Sequence, residues 1–186
     1  YNEVFLMNEF KFCPNCGSQK IEMIKNRKRT CPDCGYDLYF NVAAATGVII
    51  FDSNYNVLFE VRQKDPKKGF LALPGGFVDQ DESAEDGIIR ECKEEIGLDI
   101  KNVSFFCSNP NNYEYKGIAY KTCDLFFTAK VESVEDLIRN CRIQKSEVEE
   151  LCVKKLASMD DLEKLPVAFE SSKKTLKQFV QEKING

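Results

Sequence analysis

Three carboxylates, Glu91, Glu94 and Glu95, stand close together in a run that reaches back to Gly76. Its spacing is a glycine, five residues, Glu82, seven residues, then Arg90-Glu91-Cys92-Lys93-Glu94-Glu95-Ile96-Gly97-Leu98. On a helix turning about 100° per residue, the three acids share an arc of roughly 100°, and Ile88, Ile89, Cys92 and Ile96 gather on the flank beside it. One stripe packs while its neighbour stays wet and acidic. Like charges at these spacings cost roughly 0.2–0.5 kcal/mol per pair, and Arg90, four residues before Glu94, is the local relief. A bound divalent cation reverses that cost. Magnesium takes oxygen ligands, typically one or two carboxylates together with substrate phosphates, so the cluster suits a phosphate-bearing substrate. A solvated acidic face is the other reading of a bare Glu-x-x-Glu-Glu, and the full spacing from Gly76 favours the cation.

A second group with chemistry is Cys13-Pro14-Asn15-Cys16-Gly17 and Cys31-Pro32-Asp33-Cys34-Gly35, two matched turns separated by fourteen residues. Each Cys-x2-Cys-Gly turn aims two thiolates at one point. Two turns complete a tetrahedral shell with no open position, so Cys13, Cys16, Cys31 and Cys34 are expected to hold a structural Zn2+. Disulfides compete with this reading, but the nine cysteines are an odd number and nothing else suggests secretion. Cys92, Cys107, Cys123, Cys141 and Cys152 lie mostly in apolar segments and read as core or surface thiols. The chain has no histidine. That excludes histidine-dependent serine and cysteine triads and histidine metal ligands, and leaves carboxylates as the acid and base groups.

The elements that must position these residues are legible in outline. Ser83, with Asp86 three residues on, caps the acidic helix, Gly97 ends it, and Leu73-Pro74-Gly75-Gly76 is the short loop that leads toward it. Gly75 and Gly76 permit close approach of backbone to an ion or phosphate. Residues 42–51 read as a buried strand, 56–62 as its hairpin partner and 70–73 as a short strand. Further strands are expected at 103–107 and 119–129, separated by a polar, tyrosine-rich stretch, and at 149–153. A short helix is expected at 160–165. A final helix at 171–184 carries Leu176, Phe179, Val180 and Ile184 on one side.

At 186 residues the chain holds one full domain and a small appendage. The division expected is a zinc ribbon at 1–40 and a larger domain at 41–186. An apolar content of 43% and a charged content of 30% are ordinary for a soluble protein. No stretch has the apolar length of a membrane span, and no secretory leader is visible, so a cytoplasmic location and no membrane partner are expected. A net charge of −4 gives no global attraction to nucleic acid. Any such contact falls to the basic run Lys25-Asn26-Arg27-Lys28-Arg29, which otherwise reads as a solvated hairpin tip.

The run from Gly76 to Leu98 resembles the signature of the Nudix hydrolases, Gly-x5-Glu-x7-Arg-Glu-U-x-Glu-Glu-x-Gly-U, where U is a bulky aliphatic residue. Every fixed position is met, and the first U is Cys92, a small hydrophobe that preserves the packing. The order of strands and helices argues for a mixed sheet between helices, and the resemblance implies the same α/β/α sandwich. It implies hydrolysis of a nucleoside diphosphate linked to another group X, by attack of water on phosphorus. Mg2+ or Mn2+ would be held by Glu91, Glu94 and Glu95, with the Gly76 carbonyl as a further ligand. Glu82 and Arg90 would orient these ligands or simply form a salt bridge, and the base would be Glu91 or a residue outside the motif. The resemblance also implies a homodimer.

With its ribbon, the chain is similar to the NADH pyrophosphatase and ADP-ribose pyrophosphatase branches. The former add an acidic ligand in a Glu-x-x-Glu segment leading into a strand. Glu147 is the candidate here, with Glu149 and Glu150 beside it and a solvated face as the other reading. That branch also has a Ser-Gln-Pro-Trp-type motif, of which only Ser108-Asn109-Pro110 is found, in a chain without tryptophan. For the substrate, Arg62, Lys64 and Lys68 can meet phosphates. Tyr113, Tyr115 and Tyr120 can stack a base or simply pack along a strand. NAD(H) or ADP-ribose is therefore the expected substrate class. Nucleoside triphosphates, capped RNA ends, or a non-catalytic module that binds RNA or protein through the ribbon are the alternatives.

Overall fold

The computed structural model describes residues 11–115 and 118–184, without the side chains of residues 115, 118, 119, 183 and 184. Tyr115 and Ile184, both expected to be informative, thus have side chains outside the described residues.

The ribbon is a three-stranded antiparallel sheet of β1 (Glu22–Ile24), β2 (Lys28–Thr30) and β3 (Asp37–Tyr39), in that order. The basic run forms the turn between the first two strands and continues into β2 with Lys28 and Arg29. Lys25 and Asn26 take positive φ there, Lys28 pairs with Asp37, and the guanidinium of buried Arg29 lies 5.8 Å from the Phe40 ring centre.

The second sheet has six strands. β4 (Ala43–Phe51) runs parallel to β8 (Ile118–Lys130) and antiparallel to β5 (Asn56–Arg62), which also pairs with β6 (Leu71–Ala72) and β9 (Val148–Lys155). β7 (Ser104–Tyr115) closes the other edge against β8. One parallel pair among antiparallel ones makes the sheet mixed.

Strand periodicity assigns its two faces. Val48, Ile50 and Leu58 point toward α1 (Ala84–Ile96), where they meet Ile88, Cys92 and Ile96. Ile49, Val57 and Phe59 point the other way, onto Leu176, Phe179 and Val180 of α4 (Glu170–Ile184). The result is the expected α/β/α sandwich.

Three features depart from the sequence reading. The tyrosine-rich stretch is not a loop between strands, because β7 continues through it to Tyr115 in register with β8. Pairing satisfies the backbone of those polar residues, and one face of the ribbon of strands stays open to solvent or to the cavity described below. A short helix, α2 (Val134–Ile138), begins at Ser133, whose side chain accepts the Asp136 N–H. The next, α3 (Met159–Glu163), starts slightly earlier than expected because Ser158 caps it in the same way.

Candidate active site and zinc cluster

Helix α1 delivers the acids. The Ser83 hydroxyl accepts the Asp86 N–H at 3.1 Å, and Gly97, at φ 69°, turns the chain out of the helix. With Ile88, Cys92 and Ile96 fully buried, Glu91 and Glu95 are held beside the loop that follows β6, while Glu94 lies further out with 57% of its side chain exposed.

Arg90 ties this region together. Its Nη2 donates to Glu82 Oε1 (2.7 Å) and to the Phe77 carbonyl (3.0 Å), and its Nε donates to Glu82 Oε2 (3.1 Å). Its Nη1 donates to Glu91 Oε1 (2.9 Å) and Glu94 Oε2 (3.1 Å). A planar fork of donors is needed for such a set, which lysine lacks. Glu82 Oε1 also accepts the Asp79 N–H at 2.7 Å, so the loop is fastened to the helix through one carboxylate. The Arg90 guanidinium holds the Glu82 carboxyl below the usual carboxylate range.

Glu91 and Glu95 are shifted the other way. Burial raises the Glu91 carboxyl, with Arg90 opposing. Burial pushes Glu95 up to about 7, the Gly75 N–H (3.2 Å from Oε2) opposing and the Glu91 charge adding to the rise. Such shifts arise where acids are gathered out of water.

The two glycines differ in role. Gly75, at φ 141°, lies so close to β4 that an added Cβ would stand 2.3 Å from the Thr46 carbonyl oxygen. At Gly76 an added Cβ would instead meet the Glu91 carboxylate, 2.6 Å from its carbon. The Gly76 carbonyl, expected to face a cation, accepts the Thr46 N–H (2.7 Å) and hydroxyl (3.3 Å). What Gly76 gives the Glu91 carboxylate is therefore space.

These residues border a cavity of about 410 Å³, the size of a nucleotide-scale ligand site. Gly76, Glu91, Glu94, Glu95, Glu147, Arg62 and Tyr113 all line it, so residues from five separate stretches of sequence meet there. Of the three late acids weighed from the sequence, Glu147 alone lines the cavity, and its carboxylate also takes the Lys64 ammonium. Arg90 and Glu82 stand behind the acids. Tyr120 faces Tyr113 across the strand pair but does not reach the cavity, and neither do Ser108, Asn109 and Pro110. Asn109 instead donates to the Thr175 hydroxyl at 3.0 Å, on the helix α4 side of the sheet.

The sequence reading missed four lining residues. Phe77 and Phe169 flank Tyr113, with ring centres 5.5 Å and 5.8 Å from it, and the Arg62 guanidinium lies 5.0 Å from the Phe169 ring centre while its Nε donates to the Pro66 carbonyl at 2.9 Å. Asp124 lies deeper, accepting the Thr122 and Ser171 hydroxyls at 2.5 Å each. Glu60 lies on β5 and is 5% exposed, with an Oε1 that has no hydrogen-bond partner among the described residues. Burial raises its carboxyl well above the usual range, and the Glu95 charge adds to this. A lone acid in the apolar run Asn56–Arg62 was the available signal.

Hard divalent cations fit this donor set, which is all oxygen and net acidic, with the Gly76 position left free of a side chain. The cysteine cluster fits a different ion. The Sγ atoms of Cys13, Cys16, Cys31 and Cys34 lie within 4.8 Å of one another, with Cys13–Cys34 and Cys16–Cys31 at 3.7 Å. A tetrahedral shell at the Zn–S distance of about 2.3 Å requires sulfur separations of about 3.8 Å. The two knuckles repeat each other: the Gly17 and Gly35 N–H groups donate to the Cys13 and Cys31 carbonyls at 2.9 and 2.8 Å, with φ of 74° and 73° at the glycines.

An NAD-capped RNA hydrolase, NudC, of Deinococcus radiodurans is 30% identical over 89% of this chain and 55% of its own length. An ADP-ribose pyrophosphatase of Methanocaldococcus jannaschii is 41% identical over 41% of this chain and 46% of its own. The chain thus spans about half the length of these curated relatives. Among solved structures, a NUDIX hydrolase from Nitrosomonas europaea superposes with a TM-score of 0.64 at 22% identity, covering 94% of this chain and 93% of that one, a likeness of fold. A family model described as the NUDIX domain matches residues 42–179, most of the chain and the whole of the site described above, and on that match the chain belongs to the NUDIX family.

Proposed function

We propose that this protein hydrolyses the pyrophosphate bond of a nucleoside diphosphate linked to a second group, as in NAD(H) or ADP-ribose, with Mg2+ or Mn2+. The observation that carries this reading is the make-up of one cavity, in which the acids Glu60, Glu91, Glu94, Glu95 and Glu147 share the lining with Arg62 and the rings of Phe77, Tyr113 and Phe169. A diphosphate bearing a ring system presents the matching pattern. The activities of the relatives, on NAD-capped RNA and ADP-ribose, support the same class.

Glu91, Glu94 and Glu95 hold the cation, and Glu147, which lines the same cavity, is a further acidic ligand. The bound cation supplies charge neutralisation on the non-bridging oxygens and an oriented water. Arg90 and Glu82 fix the carboxylates, and the Gly75 N–H fixes the inner one. Arg62 meets phosphate oxygens while Tyr113, flanked by Phe77 and Phe169, stacks a ring. In the reaction a water oxygen bonds to phosphorus, the bridging P–O bond breaks, and the water's protons end on a carboxylate and the departing phosphate. A nucleoside monophosphate and the phosphorylated second group result.

We also propose residues 1–40 as the zinc-ribbon module and 41–186 as the hydrolase domain. The separate sheet β1–β3 and a family match beginning at residue 42 support that boundary. The test of function is a panel of NAD(H), ADP-ribose, NAD-capped RNA and nucleoside triphosphates with each metal. Cleavage of the first three supports the reading. If triphosphates alone are cut, the substrate class is wrong.

A further inference from the structure

Glu60 is an acid that reaches the cavity from β5, a strand inside the sheet. Its strand is covered on both sides, Glu60 standing opposite Ala72 of β6 and Leu151 of β9. Alternation puts it on the same face as Leu58, which packs beneath Ile88, Cys92 and Ile96 of α1. It therefore reaches the cavity from below, facing the helix that carries Glu91 and Glu95.

A buried carboxylate without a partner is unfavourable, and structures keep one only where something compensates it. The protein's own compensation is the charge of Arg62, which acts on Glu60 without a hydrogen bond to it. Arg62, two residues on, spends its Nε on the Pro66 carbonyl, lies over Phe169, and makes no ion pair with Glu60 among the described residues. The other charges that act on Glu60 are Glu95, Glu91 and Glu147, all of its own sign. A further negative group beside these, lining the same cavity and with a buried Oε1 that has no donor among the described residues, makes sense if the missing partner is positive.

We propose that Glu60 is an oxygen ligand of the divalent cation, supplied by the sheet opposite the helical acids. The inference rests on the cation site proposed above. It extends that site beyond the Gly76–Leu98 run and beyond Glu147: the ion is held between two faces, not on one side of a helix.

The experiment is Mn2+ binding to the full chain without substrate, followed by electron paramagnetic resonance of the free ion, with thermal unfolding measured in parallel. Glu60→Gln keeps size and removes charge. It is expected to weaken Mn2+ binding about tenfold or more, as loss of a supporting group at a metal site does. It is also expected to raise the melting temperature of the metal-free protein and to shrink the further rise that Mn2+ produces. Wild-type Mn2+ affinity in Glu60→Gln, with affinity lost in Glu95→Gln, overturns this inference and leaves the cation site standing. Wild-type affinity in both variants overturns the cation site itself. If Glu60→Gln fails to fold, Glu60→Asp decides, since a shortened carboxylate that binds Mn2+ as tightly as wild type also overturns the proposal.

Discussion

Gly76→Ala separates the chemistry of the site from its stability. The new Cβ would lie 2.6 Å from the Glu91 carboxyl carbon and from its Oε1, and 2.9 Å from Oε2. Ordinary contact between such atoms is about 3.5 Å or more, so the carboxylate must retreat by about 1 Å. Nothing else need move, because the obstructing atoms end a flexible side chain and Gly76 has no left-handed φ. The stability cost is then about 1 kcal/mol, chiefly the weakened Arg90–Glu91 hydrogen bond. A reacting group displaced by about 1 Å costs on the order of 100-fold in rate, or about 2.7 kcal/mol of barrier. Gly75→Ala is the contrasting control. Its Cβ would strike a backbone oxygen at 2.3 Å from a φ of 141°, so stability should fall by about 2–4 kcal/mol. The assay is ADP-ribose and NAD(H) hydrolysis with Mg2+ and Mn2+, beside urea unfolding. Wild-type turnover in stably folded Gly76→Ala would refute the reasoning, because the position of the Glu91 carboxylate would then not matter.

Arg90→Lys keeps the charge but not the fork, and should lower turnover about 10- to 100-fold while leaving the substrate KM within a few-fold; an unchanged rate counts against the positioning role. Metal analysis should find one zinc per chain, and Cys31→Ser should lose it together with the ordered signals of residues 11–40 in NMR spectra; retention of both would exclude the zinc ribbon. Asp52 fastens the β4–β5 turn, its Oδ1 accepting the Asn54 N–H at 2.8 Å and its Oδ2 the Asn56 side-chain amide at 2.9 Å. Burial pushes its carboxyl up, but these donors outweigh burial and hold it below the usual value. Its contribution is therefore present above the unfolded pKa of about 3.9 and lost as pH falls through the lower folded value. Asp52→Asn should cost about 1–2 kcal/mol at neutral pH and less at pH 3, and an equal gap at both pH values would contradict this. Light scattering at micromolar concentration should show a dimer, and monomer alone would argue against that expectation.

The sequence by itself determined what is local. The caps at Ser83 and Gly97, the acidic stripe of Glu91, Glu94 and Glu95, and the two cysteine knuckles all depend on residues within a few turns of one another, where spacing in sequence is spacing in space. The unbroken apolar run of Val48, Ile49 and Ile50 likewise announces a strand buried on both faces. The extent of β7 was not legible, because polar residues become a strand only when a partner such as β8 takes up their backbone groups. Nor was the composition of the cavity. Glu147 was set apart from Glu149 and Glu150 by where β9 joins β5, Phe169 was carried to Tyr113 by the approach of α4, and Ser108–Pro110 was turned away by the register of β7. Glu60 shows the reason most plainly: on its own strand it is one acid among apolar residues, and its meaning appears only when the sheet is laid beneath the helix that holds the other acids.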